Sequence, residues 1–200
     1  GTKGGEIELW DLATEERFGE LSHGEDLSGL RFSSGSEYLL SWGGKMARDG
    51  YGTFRVWSTE SLEEISAVHG ERAFIDVDFD PLGGRVVASN GTRAVGLYDL
   101  FDGTRIESLI SPYLHTGLRW SRDGSRLASL STTKYAPVWY MEQRKSAPNT
   151  YTNLGTPTEL LHCGARTFVL HENGVLATWD LETGAVSAVD AGVIGGVRGM

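Results

Sequence analysis

The chain has 200 residues, with 27 acidic against 18 basic side chains, a net charge of −9 and a pI near 5.0. An acidic balance without clustered Lys and Arg excludes a general nucleic-acid surface, and the apolar runs are all too short to span a membrane. The single Cys163 excludes an internal disulfide framework and fits a reducing compartment. With no charged-then-apolar leader in the sequence, a cytoplasmic location is expected, although Gly1 is not an initiator and a leader is free to precede it.

Taken in chain order, five short segments end on an aromatic residue: Glu8-Leu9-Trp10-Asp11, Arg55-Val56-Trp57-Ser58, Gly96-Leu97-Tyr98-Asp99, Pro137-Val138-Trp139-Tyr140 and Ala177-Thr178-Trp179-Asp180. The aromatic anchors lie 47, 41, 41 and 40 residues apart. A second set runs in phase, with Phe32, Phe79, Trp120 and Leu161 each 22 residues after the preceding anchor. Each of these opens a tight turn and a new apolar run, and Gly35, Gly83, Gly124 and Gly164 are expected to supply the positive φ of those turns. The repeating unit therefore reads as strand a, turn, strand b, loop, strand c, turn, strand d. A period near forty with four short strands predicts an all-β chain, a β-propeller of four-stranded antiparallel blades.

The phase predicts blades at about residues 1–22 (partial), 23–68, 69–110, 111–152, 153–191 and 192–200 (partial) of one domain spanning 1–200. That is four full blades with partial blades at both ends, read as a segment of a longer propeller of six to eight blades, since open blade faces need capping. Pro148 falls on an outermost strand d, where an edge tolerates it. Pro137 falls within strand c and should cost a ladder hydrogen bond or mark a bulge.

The residues carry a resemblance to the WD-repeat family. Trp10-Asp11-Leu12 with Thr14, Trp179-Asp180-Leu181-Glu182-Thr183-Gly184 and the hairpin-like Trp120-Ser121-Arg122-Asp123-Gly124 are similar to its motifs. The family's Gly-His before strand a stands reversed here, as His23-Gly24 and His69-Gly70. Its b–c loop Asp, which braces that His through a Ser or Thr to the Trp, has no clear counterpart in three of the four blades. The resemblance implies a scaffolding or sensing role, as the repeat region of a larger multidomain regulator such as a bacterial signalling ATPase or kinase.

Catalytic constellations are weak. His162, Cys163 and His171 share one predicted hairpin but lack a fourth metal ligand, and a structural role is favoured. His171-Glu172-Asn173-Gly174 reads as a b–c turn, and Asn90-Gly91-Thr92, formally a glycosylation sequon, as a two-residue hairpin turn. His23, His69 and His115 are placed in turns beside strand a. No catalytic residue, metal or cofactor is expected. Residues before the strand-a anchors alternate in sign, Arg31, Asp78, Arg119 and Glu159, which predicts inter-blade ion pairs near the channel. The acidic stretch from Glu6 to Asp26 reads as a solvated face, with a recognition patch for a basic partner as the other possibility.

The d–a and b–c loops of a propeller share one face. The six extra residues of the first period fall in the b–c loop from Gly43 to Gly52. Met46, Arg48 and Tyr51 in that loop, with Arg93, Tyr113, Lys134 and Tyr135 from its neighbours, are the expected partner-binding residues, being interface-type side chains. The expected function is a non-enzymatic scaffold for other proteins or peptides, without nucleic acid or membrane, which also contacts the remaining blades of its own propeller. The alternative is an enzyme or cofactor-binding propeller with a site at the channel mouth, for which only Arg31, Asp78, Arg119 and Glu159 qualify.

Overall fold

A computed structural model of the chain describes residues 4–45, 50–133, 135–141, 145–150, 157–163, 166–171, 173–179 and 186–188. The described residues hold eighteen β-strands and no helix, as the all-β reading expects. Strands β1 (Glu6–Asp11) and β2 (Glu16–Ser22) make a two-stranded antiparallel sheet. Four antiparallel meanders of four strands follow. The second sheet contains β3 (Leu27–Phe32), β4 (Tyr38–Gly44), β5 (Gly52–Ser58) and β6 (Glu64–Gly70). The third contains β7 (Asp76–Phe79), β8 (Arg85–Ser89), β9 (Ala94–Asp99) and β10 (Arg105–Ile110). The fourth contains β11 (His115–Trp120), β12 (Arg126–Ser131), β13 (Tyr135–Tyr140) and β14 (Lys145–Thr150). The fifth contains β15 (Pro157–Cys163), β16 (Arg166–His171), β17 (Leu176–Trp179) and β18 (Val186–Ala188).

The sheets pack in series through their first strands: β7 lies against β3 and β4, β11 against β7 and β8, and β15 against β11 and β12. The aromatic anchors fall on the third strand of each four-stranded sheet, and a single rule buries them. Trp57 packs with Ile7, Leu9 and Leu21 of the sheet before it. Tyr98 packs with Phe54, Val56 and Val68, and Trp139 with Val95, Leu97 and Leu109. In each case the covering residues sit three before, one before and eleven after the previous anchor, positions that strand alternation turns to one face. Trp139 is 1% exposed; Trp10, with no described sheet before it, is 52% exposed. The repeat therefore predicts where an anchor lies, while its burial depends on the neighbouring sheet.

Turn chemistry departs from expectation in places. Gly83 and Gly124 have φ of 84° and 70°, but Gly35 does not adopt a positive φ; Ser36 does, at 60°. The reason is register. The turn closes from Ser33 O to Ser36 N, from Asp80 O to Gly83 N and from Ser121 O to Gly124 N, so the left-handed residue is the fourth, and Gly35 is the third. Gly164 lies outside the described residues. Asn90 to Arg93 form a four-residue connection between β8 and β9 rather than a two-residue turn, held by Thr92 Oγ1 on Asn90 Oδ1 at 2.8 Å. His69 and Gly70 belong to strand β6, which runs past the expected boundary at residue 68 because β5 is long enough to pair with it as far as Gly52.

Pro137 produces no bulge. It stands opposite Pro148 on the edge strand β14, and the β12–β13 ladder stops at Val138, its neighbour. Only three residues pair there, against seven between β4 and β5, because proline has no N–H to continue the ladder.

Candidate functional site

Along each four-stranded sheet the first strand has one edge without a strand partner, so its outward amides need acceptors. On β11 two of these amides are taken by side chains of β7. Asp76 Oδ2 accepts from Leu118 N at 2.8 Å, and Asp78 Oδ2 from Trp120 N at 3.2 Å. Asp76 and Asp78 are two residues apart and so share a face. Arg31 of β3 reaches Asp76 at 3.2 Å and Asp78 at 3.1 Å, donates to Val77 O at 2.6 Å, and lies 5.3 Å from the centre of the Trp42 ring. Arg119 of β11 reaches Asp76 Oδ2 at 2.9 Å. Val77 N occupies Asp76 Oδ1 as well. All four carboxylate oxygens are thus engaged, and the cluster links β3, β7 and β11.

Of the four residues with alternating charge, the structure brings Arg31, Asp78 and Arg119 together. Burial raises the Asp78 carboxyl above its ordinary range, opposed by the guanidinium groups of Arg31 and Arg119. Glu159 on β15 is exposed and, among the described residues, makes no ion pair; Arg119 reaches back to β7 instead. The residue that sequence reasoning missed is Asp76, whose carboxylate receives both arginines. Its signal was present in the Asp-Val-Asp pattern, which puts two carboxylates on one face.

A second polar constellation recurs in two sheets. Trp57 Nε1 donates to Ser41 Oγ at 2.8 Å, and Ser41 Oγ meets His23 Nδ1 at 2.8 Å, all buried. In the fourth sheet His115 Nδ1 meets Ser129 Oγ at 2.8 Å and Nε2 meets Ser111 Oγ at 2.9 Å. Ser129 donates to Leu130 O and therefore accepts from His115; Trp139 Nε1 has no partner among the described residues, and the His115 and Trp139 ring centres lie 5.0 Å apart. Burial, reinforced by Arg55 in the case of His23, lowers both histidines to about 4, so both are neutral at pH 7. His115 is the first residue of β11 rather than a turn residue, and His69 on β6 meets Thr53 Oγ1 at 3.2 Å.

The loops that join second to third strands and successive sheets meet along one edge. A methyl group at Gly52 would come within 2.5 Å of Ala73 Cα, and one at Gly91 within 2.9 Å of Ile75 Cδ1. Ser111 N donates to Arg93 O at 3.0 Å and His115 N to Thr92 O at 3.1 Å. On the opposite edge, Thr59 Oγ1 donates to Ser36 O at 2.6 Å and Leu100 N to Gly84 O at 3.0 Å, tying the other turns together. The first edge is thus continuous from Tyr51 through Ile75 and Arg93 to Tyr113.

Tyr51 is 49% exposed with Lys45 Nζ 5.9 Å from its ring centre. Arg93 is exposed, and Tyr113 is half-buried with its N–H on Ser111 Oγ at 3.2 Å. Met46, Arg48 and Lys134 lie outside the described residues, as does the side chain of Tyr135, whose backbone opens β13; the side chain of the Trp179 anchor on β17 lies outside them too.

The hairpin of β15 and β16 separates the residues considered as metal ligands. His171 pairs opposite Pro157, whereas His162 and Cys163 pair with Thr167 and Arg166 at the other end. Four residue steps along β16 and five along β15, whose register shifts between Pro157 and Glu159, separate the two ends by about 14 to 17 Å. No cluster of three His, Cys, Asp or Glu residues suited to a metal occurs among the described residues. In comparisons with known proteins, no family model and no curated protein matches the chain.

Proposed function

We propose that the chain is an arc of a WD-repeat-like β-propeller acting as a non-enzymatic, cytoplasmic scaffold that binds other proteins or peptides, and that the partner sits on the continuous loop edge. That continuity carries the reading. The described parts of the β4–β5 and β8–β9 loops and of the connections leading into β7 and β11 form one surface bearing an exposed Tyr51 and Arg93, side-chain types that dominate binding when truncated at interfaces. Serial packing through first strands and the recurring rule for burying the anchors support the propeller. The saturation of Asp76 and Asp78 supports a structural use of this charged cluster on the inner strands, because a catalytic carboxylate needs a free oxygen within reach of its proton.

The test is capture of a protein partner by the full chain and its variants. Tyr51→Ala and Arg93→Ala should each weaken capture by about 1 to 3 kcal/mol with little change in melting. Ser34→Ala and Asp123→Ala, on the opposite edge, should leave it unchanged. Silent loop variants together with loss of an activity in Arg119→Ala alone would reject the scaffold in favour of a site on the inner strands.

A further inference from the structure

The sequence holds two Asn-Gly pairs, Asn90-Gly91 and Asn173-Gly174, each in a connection between a second and a third strand. Both glycines are left-handed, with φ of 72° and 80°. Glycine takes that conformation without strain, and it sets no β-carbon beside its own nitrogen.

The hydrogen bonds separate the two pairs. Between β16 and β17, Gly174 N donates to His171 O at 2.9 Å and Asn173 Oδ1 accepts from Val175 N at 3.1 Å, which commits the glycine nitrogen to closing the turn. Between β8 and β9, no group among the described residues accepts from Gly91 N, while Thr92 Oγ1 donates to Asn90 Oδ1 at 2.8 Å. A bond from residue 92 back to the side chain of residue 90 bends the carboxamide over the peptide between them. An uncommitted backbone nitrogen thus follows a carboxamide whose oxygen already holds a hydroxyl donor. The carbonyls beyond it are anchored: Thr92 O accepts from His115 N at 3.1 Å and Arg93 O from Ser111 N at 3.0 Å. Asn90 and Gly91 are half-buried and within reach of solvent.

We propose that Asn90 is a self-modifying site, which deamidates through a cyclic imide closed by Gly91 N. Hydroxide removes the Gly91 amide proton, the nitrogen forms a bond to Asn90 Cγ, and the negative charge passes to Oδ1, where the Thr92 hydroxyl donates to it. The Cγ–Nδ2 bond then breaks, and its nitrogen takes a proton from water and leaves as ammonia. Water opens the imide at either carbonyl. Attack at Cγ breaks the new bond and leaves aspartate, whereas attack at the backbone carbonyl carbon of residue 90 breaks the original peptide bond and leaves isoaspartate, with the chain running through Cγ and one methylene longer. Either product sets a carboxylate three residues before Arg93, and isoaspartate also lengthens the backbone ahead of the two anchored carbonyls. The edge read above as the partner surface thereby changes charge and shape as the molecule ages; the chemistry itself holds whether or not a partner binds there.

The test is peptide mapping by mass spectrometry of the full chain held at mildly alkaline pH in heavy-oxygen water, which labels each oxygen gained. Asn90 should convert about fivefold or more faster than Asn173, since freeing Gly174 N from His171 O costs about one hydrogen bond. Exposure alone predicts the reverse order, because Asn173 is exposed and Asn90 half-buried. Thr92→Val should slow conversion of Asn90 about fivefold, and Thr92→Ser, which keeps the hydroxyl, should stay within about twofold of the unaltered chain. Circular dichroism checks that both variants fold. In denaturant the two asparagines should convert at similar rates and Thr92→Val should lose its effect, because the hydrogen bonds that distinguish them belong to the fold. Conversion of Asn173 as fast as Asn90 in the folded chain, indifference of the folded chain to Thr92→Val, or aspartate at residue 90 without isoaspartate would overturn the proposal.

Discussion

Asp76→Ala should be among the most damaging single substitutions in the chain. Asp76 is 8% exposed and receives the Leu118 amide at 2.8 Å, Arg119 at 2.9 Å and Arg31 at 3.2 Å. Truncation leaves the fully buried Leu118 N–H without an acceptor, which costs about 1 to 3 kcal/mol. The arginines suffer less. Arg31 keeps Asp78 and Val77 O, and the side chain of Arg119 is 24% exposed to water that replaces part of what it loses. We expect about 3 kcal/mol in all, the low end for breaking a buried ionic network. For a chain of this length that lowers the melting temperature by about 6 to 12 °C. Arg119→Ala, which removes one partly solvated partner and leaves no buried donor unsatisfied, should cost about 1 kcal/mol. Urea titration of both variants reads the difference. Asp76→Ala within about 0.5 kcal/mol of the unaltered chain, or no worse than Arg119→Ala, would refute the claim that this carboxylate joins the first strands of neighbouring sheets.

Three further expectations follow from the same geometry. Ser41→Ala deprives Trp57 Nε1 and His23 Nδ1 of their shared partner and should cost about 2 to 3 kcal/mol by denaturant titration, whereas Ser129→Ala, with Trp139 Nε1 already unpartnered, should cost about 1 kcal/mol. Trp139→Ala should destabilise by about 4 kcal/mol and Trp10→Ala by less than about 1 kcal/mol, although both close the same motif, because only the first is buried. Both buried histidines are lowered from 6.5 to about 4 in the fold, so the unfolded chain binds more protons between those values, and stability should be fully present above pH 6.5 and fall as the pH drops toward 4. The loss should approach about 3 kcal/mol per histidine, and a double His23→Gln, His115→Gln variant whose stability still fell across that window would contradict the assignment.

The repeat was legible because strand alternation and a fixed period are properties of sequence alone: the third-strand positions of Trp57, Tyr98 and Trp139 follow from counting. Burial was not legible to the same depth. Trp10 has the motif without the neighbour, and only the packing of sheets decides that. The sign alternation of Arg31, Asp78 and Arg119 pointed to the charged cluster on β3, β7 and β11, but Asp76 went unnoticed because the hydrogen-bonding need it meets belongs to the backbone of β11, and backbone amides leave no mark on a sequence. Ser36, in place of Gly35, shows the same limit at a turn, since which residue takes the left-handed conformation depends on where the turn closes. The proposed partner face stands between these cases. Tyr51 and Arg93 were visible as residue types on predicted loops, while the continuity joining them through Ala73, Ile75 and Gly91 required the packed sheets.

The central claim, that partners are read on the loop edge of a propeller-like scaffold, is tested most directly by placing a photo-crosslinking amino acid at Tyr51, at Arg93 and, on the opposite edge, at Ser34 of the full chain, and identifying the proteins that become attached in cells. The account predicts one recurrent partner crosslinked from both Tyr51 and Arg93 and not from Ser34. Recurrent crosslinks from Ser34 with none from the other two would contradict it.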